Sequence, residues 1–238
     1  MIKAIIFDFD GTLVQSNEIK HNTYYKVAQN LDFTGINTQK IVDDVLTSGI
    51  DGTRDIVIKE IVSRIAAIGK LSTAFSLPDW VEELTADYTN ICEIAIASCP
   101  EIEGTTATLE HLQNRGYLLF INSATPVKYL KRIVELRGMK DFFTGIYGRP
   151  NDKIQNLQAI FSAYSIAPQQ AIAIGDGEDD LHSSLTMGCQ FIGVLHETIQ
   201  FASLPVYRVC NLSQLIPIVE KIENRMNYLS FNTRKDHD

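Results

Sequence analysis

The sequence predicts an α/β fold: a parallel β-sheet covered by helices on both faces and interrupted, after its first strand, by an all-helical insert. Three observations predict it. From about residue 100 onward, short apolar runs alternate with amphipathic helical segments. Before that point, the chain reads as helix after helix with no convincing strand between them. Distinctive polar groups follow four of the apolar runs, as expected where strands of an open parallel sheet hand over to loops.

Ala4 to Phe7 is an apolar run that follows a single lysine and leads directly into acidic residues, the pattern of a buried strand and not of a secretion signal with its small-residue cleavage site. From Gln15 to Pro100, helices are expected at Ile19 to Leu31, Thr38 to Thr47, Thr53 to Ile68 and Trp80 to Ala97. The breaks between them fall at Gly35, Ser48-Gly49, Asp51-Gly52 and Leu77-Pro78. These helices either pad the sheet or form a mobile cap over the strand ends. The cap is favoured, because an insert of roughly 85 residues exceeds what one crossover needs and long insertions at strand ends usually serve function.

Beyond the insert, strands are expected at Leu118 to Ile121, Gly145 to Tyr147, Ala171 to Ile174 and Phe191 to Val194, with an edge strand at Tyr207 to Cys210. Thr106 to Arg115 is a helix with Leu109 and Leu112 on its apolar face. Val127 to Arg137 carries Leu130, Val134 and Leu136, and Ile154 to Tyr164 carries Leu157, Ile160 and Phe161. Such alternation implies parallel neighbours, which need crossover helices. The expected division is a core of residues 1–14 and 101–226, a helical cap of residues 15–100 and a frayed tail of residues 227–238.

With 238 residues, 45% of them hydrophobic, the chain can bury a full core. Its 29 acidic against 21 basic residues give a formal charge of -8, which disfavours attraction to nucleic acid or to an anionic membrane and makes small molecules the expected partners. No apolar stretch approaches the roughly 20 residues that span a bilayer. Cys92, Cys99, Cys189 and Cys210 are scattered singly, so neither a zinc knuckle nor a disulfide framework is expected, and a reducing cytoplasm fits. The histidines are isolated too, and none is assigned to a metal. The sequence leaves the oligomeric state open, a monomer being compatible with it.

Ligands of open parallel sheets bind beyond the carboxyl ends of the strands. There the sequence places Asp8-Phe9-Asp10-Gly11-Thr12, Asn122-Ser123, Asn151-Asp152-Lys153 and Gly175-Asp176-Gly177-Glu178-Asp179-Asp180. Asp8 and Asp10, one residue apart, bring two carboxylates toward one side, and Gly11 permits the tight turn after them. Carboxylates that close repel each other unless a cation lies between them; with Asp176 they make an all-oxygen site suited to Mg²⁺. Each motif alone also suits a bland role, the first as an Asx turn and the last as a solvated helix start. Ser123 alone is an ordinary helix cap and Lys153 an ordinary surface lysine. Delivered to one edge together with three carboxylates, they form instead a cradle for a phosphoryl group.

The order DFDGT, Ser123, Lys153 and GDGEDD, with a helical insert directly after the first motif, resembles the haloacid dehalogenase-like hydrolase superfamily, and within it the helical-cap members of the phosphoglycolate phosphatase and β-phosphoglucomutase kind. The resemblance covers nearly the whole chain. It implies a Rossmann-like core, and a reaction in which Asp8 attacks phosphorus to become an aspartyl phosphate while Asp10 protonates the leaving oxygen and then activates water. It further implies Mg²⁺ bound by Asp8, the Asp10 carbonyl and Asp176 with Asp180 in support, and phosphoryl oxygens held by Ser123 and Lys153. Asp179 stands where relatives often have Asn. Two departures are Gln15-Ser16-Asn17 in place of an acid and Ser, and Ala124-Thr125-Pro126 after Ser123, a change expected to reshape the pocket wall.

The expected function is a cytoplasmic, Mg²⁺-dependent phosphatase acting on a small phosphorylated metabolite. A phosphomutase keeps the same residues and is the alternative. A non-catalytic binding protein of the same fold is a third reading, disfavoured because no chemical group is missing. Dehalogenation is disfavoured by the presence of Asp10, and phosphonate hydrolysis by the lack of a recognisable context around Lys40 or Lys59. Arg54, in the segment Thr47 to Arg54, is either a surface arginine paired with Asp51 or Asp55 or a specificity residue that grips a second anionic group of the substrate.

Overall fold

Ala4–Phe7 forms β1, with all four residues buried; an apolar run without alternation is what a strand covered on both faces requires. The computed structural model describes residues 1–31, 37–50, 53–68, 76–196, 201 and 205–235. After β1 come α1 (Asn17–Gln29), α2 (Thr38–Leu46), α3 (Arg54–Ala67), α4 (Leu77–Ser98) and α5 (Thr105–Asn114). β2 (Leu118–Pro126), α6 (Val127–Leu136), β3 (Gly145–Arg149), α7 (Lys153–Tyr164), β4 (Ala171–Gly175) and α8 (Glu178–Met187) follow in alternation. The chain closes with β5 (Gln190–Val194), β6 (Tyr207–Val209) and α9 (Leu215–Lys235).

The described strands pair in parallel in the order β3-β2-β1-β4-β5-β6, so β1 is central and β6 lies at an edge. Alternation along the strands divides the core between two faces. Ala4, Ile6, Phe120 and Ala173 pack with Leu157 and Phe161 of α7 on one face. Their neighbours Ile5, Phe7, Leu119, Ile121, Ile172 and Ile174 are equally buried.

The chain divides into two compact units, Met1–Gln15 with Cys99–Asp238, and Ser16–Ser98. The first holds the sheet. The second holds α1 to α4 and buries Val42, Ile58, Ile61, Ile65, Leu84 and Ile96. Where the chain leaves the sheet unit and returns to it, the two segments are hydrogen-bonded to each other, Gln15 N–H to Pro100 O at 2.9 Å and Ile102 N–H to Leu13 O at 3.0 Å.

Four details differ from the sequence expectation. β2 runs on to Pro126 through a register shift against β3, because its last residues turn polar while the backbone stays extended. Leu136, expected on the apolar face of α6, is the last residue of the helix and is 60% exposed. Pro78, expected as a break, lies in the first turn of α4, where its missing N–H has no intrahelical partner to lose. In the tail expected to fray from residue 227, helical backbone continues to Lys235. Gly35, Asp51 and Gly52 lie outside the described residues. No helix among the described residues is long and apolar enough to cross a membrane.

Candidate active site

Phe7, the last residue of β1, is level with Ile121 of β2 and Ile174 of β4. Asp8, Asn122 and Gly175 therefore stand at one level at the carboxyl end of β1, beside the point where strand order reverses, the place where such sheets bind ligands. Gly11 takes φ 78°, a left-handed turn that lets its N–H reach Val14 O at 2.8 Å.

Asp8, Asp176 and Asp180 are buried, and one carboxylate oxygen from each lies within 4.8 Å of the others. Thr12 donates its hydroxyl to Asp176 Oδ1 at 3.1 Å. Asp180, in the first turn of α8, accepts from Gly177 N–H through Oδ2 at 3.2 Å and from Lys153 Nζ through Oδ1 at 2.6 Å. Gly175 makes room for it, since a Cβ there would clash with the Asp180 carboxylate. Lys153 also lies 3.3 Å from Asp8 Oδ1 and 3.0 Å from the mostly exposed Asp179.

A lysine at the first position of a helix opposes the helix dipole. Here Lys153 is held there by its surroundings. Asp152 caps α7 by accepting from Gln155 N–H at 2.7 Å, and Asn122 pins the helix start to β2 by donating to Lys153 O at 3.0 Å. Asn122 is itself fixed by Asn156, which donates to its Oδ1 at 3.0 Å.

Burial dominates the electrostatics. It pushes the Asp8 carboxyl well above its usual range, Lys153 opposes that rise, and the charges of Asp180, Asp176 and Asp10 add to it. Asp180 is likewise pushed up to about 7 by burial against the pull of Lys153. Burial alone would depress Lys153, but the negative charges of Asp180, Asp8 and Asp179 outweigh it and hold the ammonium form. Lys153 thus faces two buried acids, Asp8 and Asp180, beside a third, Asp176, an excess of negative charge that is costly away from water.

A divalent cation would relieve that excess, and the donor set suits a hard one, being made of carboxylate oxygens with no sulfur. Asp10 contributes no carboxylate to this cluster. Its side chain is directed to Thr125, whose hydroxyl donates to Asp10 Oδ2 at 2.9 Å. Ser123 is buried one residue beyond Asn122 and does not cap α6; its Oγ accepts from Thr125 N–H at 3.1 Å. Arg54 lies in the helical unit, where its guanidinium donates to Thr89 Oγ1 at 2.9 Å and sits 5.5 Å from the centre of the Tyr88 ring.

Three side chains of this edge carry no mark in the sequence. Thr12 is one more residue of the first motif and Thr125 one residue of the departure after Ser123. His196 is isolated along the chain, yet its Nε2 is 2.8 Å from Gly11 O and 3.4 Å from Asp176 Oδ2. The hydrogen bond to Asp176 raises its pKa, a shift that burial opposes. No spacing marks such a residue; the one available signal was its place just beyond an apolar strand on the same sheet edge.

The family model described as "Haloacid dehalogenase-like hydrolase" matches residues 5–194. The chain is 25% identical over 210 residues to a phosphoglycolate phosphatase of Pasteurella multocida (strain Pm70), covering 82% of this chain and 86% of that one. It is 24% identical over 230 residues to a phosphoglycolate phosphatase of Vibrio vulnificus (strain CMCP6), covering 92% and 96%. Among solved structures, a predicted phosphoglycolate phosphatase from Haemophilus somnus 129pt superposes with a TM-score of 0.71 at 17% identity, over 92% of this chain and 98% of that chain. CbbY from Rhodobacter sphaeroides, in complex with phosphate, does so with a TM-score of 0.67 at 17% identity, over 91% and 97%. At these identities the structural likeness speaks for the fold.

Proposed function

The chain belongs to the haloacid dehalogenase-like hydrolase family, and on that premise we propose that it is a Mg²⁺-dependent phosphatase that hydrolyses a small phosphorylated metabolite through a phosphorylated Asp8. The observation that carries the reading is the convergence of Asp8, Asp176 and Asp180 with Lys153 at the carboxyl edge of the sheet. An Asp8 oxygen attacks phosphorus as the bond to the leaving oxygen breaks, and Asp10 gives that oxygen its proton. Asp10 then takes a proton from water, which attacks the aspartyl phosphate, releases inorganic phosphate and restores Asp8. Lys153 and Ser123 hold the phosphoryl oxygens that take no part in bond exchange. Asp8, Asp176 and the Asp10 carbonyl, with Asp180 in support, would hold Mg²⁺, which would supply a Lewis acid for the phosphoryl group.

Phosphoglycolate is the first substrate to test, because the name of the matched curated relatives supports it over a mutase substrate. The helical unit is proposed as the cap that sets specificity. The free cysteines support a reducing, cytoplasmic setting. Phosphate release should be measured across phosphoglycolate, sugar phosphates and nucleotides with Mg²⁺. Turnover is expected to vanish in excess chelator and to return when Mg²⁺ is restored. Asp176→Asn should raise the half-saturating Mg²⁺ concentration at least about tenfold, since even removing a partner of a metal ligand commonly costs that much. Undiminished turnover in chelator would defeat the metal assignment.

Arg54 is proposed to grip a second anionic group of the substrate, such as a carboxylate. Its guanidinium is anchored by Thr89 and Tyr88, which supports a set position. Arg54→Ala should raise KM for phosphoglycolate by roughly tenfold while sparing hydrolysis of p-nitrophenyl phosphate, which lacks a distal anion. Equal losses on both substrates would return Arg54 to a structural role.

A further inference from the structure

The bond between Thr125 and Asp10 joins residues 115 positions apart, and both side chains are buried. Thr125 lies on the part of β2 that runs past Ile121, within the register shift between Asn122 and Pro126. It is held there from several directions. Its N–H donates to Ser123 Oγ at 3.1 Å, and its carbonyl lies so close against β3 that a Cβ on Gly148 would clash with it. The β-branched side chain has little rotamer freedom, which helps hold the hydroxyl on Asp10 Oδ2, at 2.9 Å.

Resting on the phosphatase reading above, we propose that Thr125 is a positioning residue for the acid/base: by donating to Asp10 Oδ2 it helps fix the carboxyl plane from which the proton is exchanged. The proton passes from Asp10 to the leaving oxygen and comes back to Asp10 from water. Without the hydroxyl, the carboxyl loses one of its anchors, and the proton is misplaced in a fraction of encounters.

Leaving-group dependence tests this. kcat/KM reports events through phosphoryl transfer to Asp8 and departure of the leaving group. An alkyl phosphate such as phosphoglycolate needs its leaving oxygen protonated, whereas the phenolate of p-nitrophenyl phosphate departs without a proton. Thr125→Val should lower kcat/KM for phosphoglycolate by about tenfold or more, part of the 10²–10⁴ that a general acid supplies, and leave p-nitrophenyl phosphate within about twofold. Thr125→Ser, which keeps the hydroxyl, should restore most of the alkyl rate. The aryl rate of Thr125→Val shows at the same time that the variant is folded. Equal losses on both substrates, or an unchanged alkyl rate, would overturn the role of Thr125. If Asp10→Asn also spares the alkyl rate, the acid/base lies on another residue and the role of Thr125 falls with it; if the wild type hydrolyses neither substrate, the phosphatase reading itself falls; if Asp10→Asn removes the alkyl rate and Thr125→Val does not, only the positioning role falls.

Discussion

Asp8→Asn is expected to reduce turnover by on the order of 10⁶-fold, the scale on which removal of a covalent nucleophile is felt. The amide nitrogen and oxygen keep the shape of the carboxylate, but neither attacks phosphorus, so no phosphoenzyme forms and no burst of leaving group is seen. The fold should survive. Asp8 is buried among Asp10, Asp176 and Asp180, whose charges together with burial push its carboxyl upward, so a neutral amide relieves repulsion even as it loses the attraction of Lys153. An unchanged or raised melting temperature with abolished turnover is the expected pair of results. Retained turnover would move the nucleophile elsewhere.

Asp10→Asn is expected to lower kcat by about 10²- to 10⁴-fold, the usual contribution of a positioned acid/base. Asparagine can still accept the Thr125 hydroxyl hydrogen, so the packing seen around Asp10 Oδ2 is kept while proton transfer is lost. The two variants are distinguishable in a rapid-mixing experiment with p-nitrophenyl phosphate. Asp10→Asn should release about one equivalent of nitrophenolate per site in a burst and then stall, because the first step needs no proton but hydrolysis of the aspartyl phosphate needs a base. Asp8→Asn should show no burst. Wild-type steady-state rates in Asp10→Asn would place the acid/base on another residue.

Much of the sheet was legible because its signals are local. A strand buried on both faces, such as Ala4–Phe7, is a continuous apolar run, and an amphipathic helix such as α7 repeats Leu157, Ile160 and Phe161 on one side. Element ends were less legible. β2 continues through Ser123, Ala124 and Thr125, whose small polar side chains carry no strand period, and Leu136 matches the apolar spacing of α6 but falls where no partner covers it. The acids of the candidate site stood out for a related reason: DFDG and GDGEDD concentrate like charge at strand ends, a pattern a foldable chain tolerates only where something compensates it.

What the sequence determined by itself was therefore the alternation of elements and the chemical groups at their carboxyl ends, Asp8, Asp10, Ser123, Lys153, Asp176 and Asp180, because each follows from neighbours a few positions away. Only the tertiary structure decided which of those groups meet and what holds them. Lys153 lies against Asp180 and Asp8 because Asn122 pins α7 to β2; Asp10 is directed to Thr125 because β2 shifts register; and His196 reaches Asp176 because β5 stands beside β4. Each of these pairings spans a long loop of chain and depends on strand order, register and one irregular segment, and a lone Thr, Asn or His has no periodicity through which a sequence could announce it.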